Sequence, residues 1–202
     1  MKPVEPFDAA ARPLAPIRLD GRYFTYVFPC AWEDFCKIGF SNDPLSRIRT
    51  LHPRWYEFFD LAAGALVEAE TQRDARDLEL ELRRPLKAHR APAPLTIQVG
   101  AGGKTEWVRG ANQALVEAVR QLAERGYRVH SLHDWACAAL RDRADRLYEW
   151  STAQLPLEAS DHGVPVTPGL RALRDVLDGY AALGIDVQAH LPDHVRAWYG
   201  SW

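Results

Sequence analysis

Lys37-Ile38-Gly39-Phe40-Ser41-Asn42-Asp43-Pro44-Leu45-Ser46-Arg47 is the stretch on which the reading of the fold turns. It reads as a short strand, a tight turn opened by a glycine, and the start of a helix that presents an arginine eight positions after Gly39. Pro44 suits a first helical turn, and Asn42 or Asp43 could cap it. Leu45, Ile48 and Leu51 recur on one face, and Pro53 stops the run. Upstream, Tyr23-Phe24-Thr25-Tyr26-Val27-Phe28 is aromatic and β-branched, which favours a strand. The interval from Pro29 to Cys36 is short enough for a hairpin connection. The outcome is a compact ββα unit that can carry a phenol (Tyr26), an ammonium (Lys37) and a guanidinium (Arg47) on one surface. Those three groups suit the handling of a phosphodiester.

The same residues resemble the GIY-YIG nuclease superfamily, most closely its phage-type DNA-binding branch, whose second signature is usually K-I-G. Tyr26-Val27-Phe28 matches the first motif, Lys37-Ile38-Gly39 the second, Ser41-Asn42-Asp43-Pro44 the polar turn, and Arg47 the family arginine. Leu78-Glu79 matches the helix that carries a metal-binding glutamate, and Thr105-Glu106-Trp107-Val108 resembles the closing Gly-Glu-Trp-Phe segment. The resemblance covers residues 20 to 110.

It implies four catalytic residues. Tyr26 would position or deprotonate the attacking water, although a phenol of pKa near 10 needs a cation beside it to do so. Lys37 would stabilise phosphate charge or lower the pKa of Tyr26. Arg47 would offer parallel donors to a phosphate without losing its charge. Glu79 would hold Mg²⁺ or Mn²⁺, an ion that needs few protein ligands because it keeps waters and takes a phosphate oxygen. Glu81 is the rival of Glu79. Arg83 stands where the branch often has a histidine, four positions after its glutamate. Arg49, His52, Arg83 and Arg84 are candidate DNA contacts, and Glu106-Trp107 reads as structural.

Composition sets bounds on this reading. Over 202 residues the formal net charge is −2. Of the 25 Lys and Arg, 16 lie in residues 1–110, against 15 of the 27 acids, so neither half is strongly basic. A protein gripping DNA by bulk charge is usually more basic, so any contact is local. Three cysteines, Cys30, Cys36 and Cys137, without C-x-x-C spacing argue against a disulfide framework or a zinc ribbon. The opening residues lack an apolar signal core, and no apolar run approaches 18 residues. The expectation is a soluble, cytoplasmic protein.

Three segments follow along the chain. Residues 1–19 form a proline-rich arm. Residues 20–110 form an α/β (α+β) domain, a small antiparallel three-stranded sheet flanked by helices. Residues 111–202 form a mainly helical region. Within the domain, strands are expected at 22–28 and 35–40, with a third in the first part of Tyr56–Val67. Glu68 to His89 reads as mostly helix, kinked or ended by Pro85, although Leu78–Leu82 alternates like a strand. A short strand is expected at Leu95–Val99.

Beyond the domain, helices are expected at 112–125, 132–151 and 170–183, with a linker from Ser160 to Pro168. Ala114-Leu115 to Val129 and Ala172-Leu173 to Val187 share a helix–Gly–strand pattern, read as a common glycine-capped helix rather than a duplication. His130-x-x-His133 and His190-x-x-x-His194 have metal-like spacing but no partner cysteines.

The function expected on this resemblance is metal-dependent hydrolysis of a DNA phosphodiester by an endonuclease. The alternatives are a non-cleaving DNA-binding module of the same fold, or a partner-binding protein that has lost nucleic acid.

Overall fold

The computed structural model describes residues 17–97, 99–101, 106–155 and 167–201. Most of the arm, part of the 160–168 linker, Gln98 of the expected 95–99 strand and Thr105 of the closing motif lie outside these residues. The described chain falls into two compact units that meet in sequence at Ala136 and Cys137.

The first unit is built on a hairpin. Strand β1, Tyr23–Pro29, pairs antiparallel with β2, Phe35–Ser41, with Tyr26 opposite Gly39 and Phe28 opposite Lys37. Residues directly opposite share a face, so Tyr26, Phe28, Gly39 and Lys37 lie on one side of the sheet, and Thr25, Val27 and Ile38 on the other. Helix α1, Pro44–Leu51, follows β2 directly. Asp43 supplies the cap, accepting from the Ser46 amide at 3.0 Å, and Leu45, Ile48 and Leu51 are buried, as their spacing predicts.

The sheet is larger than the three strands expected, and the architecture is mixed α/β. Its order is Arg90–Ala91 (β4), Trp107–Arg109 (β5), β2, β1, Ala65–Ala69 (β3) and Val129–Ser131 (β6), with every pairing antiparallel. The third strand, β3, is Ala65–Ala69, at the end of the apolar run and not in its first part. A short helix, α2, occupies Trp55–Phe58, and Asp60 then accepts from the amides of Ala62 and Ala63, which turns the chain before extension begins.

Strands β4, β5 and β6 are each three residues or fewer, too short for a two-residue period to stand out in sequence. Residues 95–97 form a turn and Val99–Ala101 a 3₁₀ turn, so the strand expected there is absent from the described residues.

Helix α3, Gln72–Arg83, is opened by a reciprocal capping box between Thr71 and Asp74, and Pro85 falls just beyond its end. The ambiguous Leu78–Leu82 segment is therefore helical. Ala75, Leu78 and Leu82 join Val27, Ile38 and Val67 in one core, and Thr25 Oγ1 donates to the Ala75 carbonyl at 2.7 Å. Helix α4, Asn112–Glu124, adds Leu115, Val119 and Leu122 to the same core. Beyond it, Gly126 turns with φ +93°, and β6 pairs with β3. The domain boundary expected at 110 therefore moves to Ala136, because residues 112–131 complete both core and sheet.

Helix α5, Leu132–Arg143, is followed by a 3₁₀ turn and helix α6, Leu147–Gln154, in place of one helix over 132–151. The second unit also contains α7, Pro168–Ala182, capped by Thr167, and α8, Asp193–Gly200. Tyr180 is buried and donates to the Leu140 carbonyl at 2.9 Å. The glycine after α7, Gly184, also has positive φ, yet Val187 leads into a 3₁₀ turn, not a strand. The two similar segments share a glycine-ended helix, and only the first leads into a strand. Among the described residues, no helix is long and apolar enough to cross a membrane.

Two outcomes follow from β6 and α4. A chain ending at residue 112 should lose near-ultraviolet circular dichroism and cooperative melting, whereas one ending at Arg143 should keep both; cooperative unfolding of the shorter chain would contradict the shared core.

The second concerns His130 on β6, which is buried and bonded to Glu68 at 3.2 Å. Burial holds its pKa below the ordinary 6.5, against the pull of Glu68 and with the help of Arg128. A depressed folded-state pKa gives stability that is present above about pH 6.5 and lost as pH falls through the folded value. Melting between pH 7 and 5.5 should therefore decline more steeply for wild type than for His130→Gln, and parallel curves would remove His130 as the cause.

Candidate functional site

The phenol of Tyr26 is at the centre. It is buried on β1 and stacked on Phe28, with ring centroids 4.1 Å apart. Gly39 faces it across the hairpin, and a β-carbon there would come within 2.4 Å of the Tyr26 hydroxyl and 2.6 Å of Cζ. The glycine of the K-I-G motif thus makes room for the tyrosine of the first motif.

Arg47 reaches this phenol from the second turn of α1. Its Nε donates to Tyr26 Oη at 3.3 Å and its Nη1 to the Ala101 carbonyl at 2.5 Å. Lys37 is fully enclosed, at 0% exposure, and forms an ion pair with Glu106 while lying over the Trp107 ring. Glu79, 5% exposed, is also buried, and its Oε1 accepts from Arg83 Nη1 at 2.6 Å, one helical turn on.

These groups act on one another. Burial pushes the Tyr26 phenol above its ordinary value; the hydrogen bond and charge of Arg47 pull it back, while Glu106 and Glu79 push it further up. Tyr26 is therefore a neutral donor at neutral pH. Burial also lowers the Lys37 pKa, opposed by its bond to Glu106 and by Glu79, and assisted by Arg47. Three direct contacts result, Arg47 with Tyr26, Lys37 with Glu106 and Arg83 with Glu79, and the charge of Glu79 reaches both Tyr26 and Lys37. The ionic members of this cluster are three cations and two carboxylates, an excess of one positive charge.

The other candidates divide. Arg49 and Arg84 are exposed. His52 stacks on Phe58 at 4.5 Å, and its Nδ1 is buried without a hydrogen-bond partner. Glu81 is exposed and pairs with Arg125, so it is not placed to replace Glu79. Glu106, read from sequence as structural, is the counter-ion of Lys37. A lysine with no exposure requires a carboxylate, which is the signal that could have found it.

His130, His133, His190 and His194 bond respectively to Glu68, Asp134, Asp145 and the Leu155 carbonyl. No group of three metal-ligating side chains occurs among the described residues. Burial pushes the Cys30 thiol up to about 12 and also raises Cys36, so neither is a ready nucleophile. Comparison with family models, curated proteins and solved structures finds no match for the chain.

Gly39→Ala should destabilise the first unit by about 1–3 kcal/mol, the usual cost of overpacking. Tyr26→Ala should relieve that cost in a double-mutant cycle read by chemical denaturation, since the two positions share one space. Additive losses would show that the ring and the glycine are not in contention.

Proposed function

We propose that the first unit binds DNA through this cluster, holding a phosphodiester without cleaving it. The supporting observation is the single excess positive charge, gathered around a neutral phenol and an arginine. One phosphodiester carries one negative charge and would neutralise it. Arg47, partly buried beside Tyr26, is the contact to the phosphate, with the exposed Arg49 and Arg84 as further contacts to the backbone. Lys37 is enclosed and contributes through its field, not by touch.

The expected Mg²⁺ or Mn²⁺ does not fit these residues. At about 4 Å and an effective dielectric of about 20, a divalent ion would gain roughly 8 kcal/mol from Glu79 and lose a similar amount to Arg83. Lys37 and Arg47 would add further repulsion. Metal-dependent endonuclease activity is the second reading, supported by the Tyr26–Arg47 contact in the order the resemblance implies; it requires Arg83 to leave Glu79.

Titration of duplex and branched DNA at several salt concentrations tests both. With about three to five phosphate contacts, log affinity against log salt should slope by roughly −3 to −4. Arg49→Ala should reduce the slope by about one, and Arg47→Ala should weaken binding about ten-fold. A flat salt response would favour the partner-binding class. Mg²⁺-dependent nicking that disappears in Glu79→Gln would install the endonuclease reading.

A further inference from the structure

We infer that Arg83 is a resident counter-ion that closes Glu79 to divalent cations, and is therefore the residue that sets which ion this site accepts. The two side chains are separated by one helical turn, so α3 itself brings them together wherever it forms. Glu79 is 5% exposed, and a carboxylate buried to that degree needs a partner of opposite charge. Arg83 supplies it at 2.6 Å with a cation that does not deprotonate in a protein. A metal ion would have to displace a tethered guanidinium already at hydrogen-bonding distance, and do so within the field of Lys37.

With a neutral side chain at position 83, the cluster would balance at two cations and two carboxylates. Glu79 would then be a buried carboxylate without its directly bonded guanidinium, an oxygen donor of the kind a hard divalent cation takes. The ion preference of the whole site thus depends on one side chain. Resting on the phosphodiester reading of the same cluster, the inference is tested by metal binding in the absence of DNA, so either can fail alone.

The experiment uses the full chain and Mn²⁺ alone, followed by the loss of its free-ion electron paramagnetic resonance signal, with Mg²⁺-induced thermal shift as a second readout. Wild type and Arg83→Lys, which keeps the charge, should show no stoichiometric Mn²⁺ and no thermal shift. Arg83→His and Arg83→Ala should bind about one Mn²⁺ per chain, roughly ten-fold or more tighter than wild type. Their melting should rise by roughly 5 °C or more in saturating Mg²⁺. Adding Glu79→Gln to Arg83→His should abolish both signals. If Arg83→Ala fails to fold, because it leaves Glu79 without a counter-ion, Arg83→His carries the test. Mn²⁺ binding by wild type that Glu79→Gln removes would overturn the inference, as would folded Arg83→His with no affinity for Mn²⁺.

Discussion

The contact between the Tyr26 ring and the bare α-carbon of Gly39 organises the first unit. The ring fills the volume that any β-carbon at position 39 would occupy, so the two strands can lie in this register only with glycine there. A slip of one residue would exchange the two faces of the sheet. Once Tyr26 is opposite Gly39, Lys37 is opposite both Phe28 and Trp107, and Val27 and Ile38 turn toward α3. Helix α1 begins three residues after β2 ends, and the cap at Asp43 sets its phase. Arg47 then arrives over the phenol. Sheet register and site geometry are thus consequences of one steric fit.

The charged pairs beneath this surface are hard to explain as stabilising elements. Burying an ion pair costs desolvation that its attraction repays only partly, and well-packed apolar residues of similar size are often as good. Lys37–Glu106 and Arg83–Glu79 nevertheless each bury one charged partner and leave the other partly exposed. Their value is better seen in the field they create. The neutral phenol sits between two carboxylates that oppose its ionisation and an arginine that favours it. A phenol held in that field does not readily release a proton to a base.

How far the sequence could be read depended on the length of each signal. The hairpin, α1 and α3 were legible because each had a period, a cap or a proline over seven or more residues. The outer strands were not. Trp107–Arg109 and Val129–Ser131 belong to the sheet through pairing with β2 and β3, contacts that link residues far apart in the chain. The same reason hid the boundary of the unit, since Leu115, Val119 and Leu122 show a helix in sequence but not the core they serve. At the site, Tyr26, Lys37, Arg47 and Glu79 could be named from their order. The pairing of Lys37 could not, because Glu106 reaches it from just before β5, far along the chain.

Arg83 shows the difference between a residue's place in a motif and its chemistry. The helix that would offer Glu79 to a cation also delivers a guanidinium to it one turn later. Glu81, the other acid on that stretch, points away and finds Arg125. Exchanging Glu79 for Glu81 would therefore not present a carboxylate without its own cation. The electrostatics of the cluster follow from helical geometry and from the identity of position 83, and not from the motif residues alone. With Tyr26, Arg47 and Glu79 all in place, Lys37, Arg47 and Arg83 still outnumber Glu79 and Glu106 by one charge, and that excess comes from position 83.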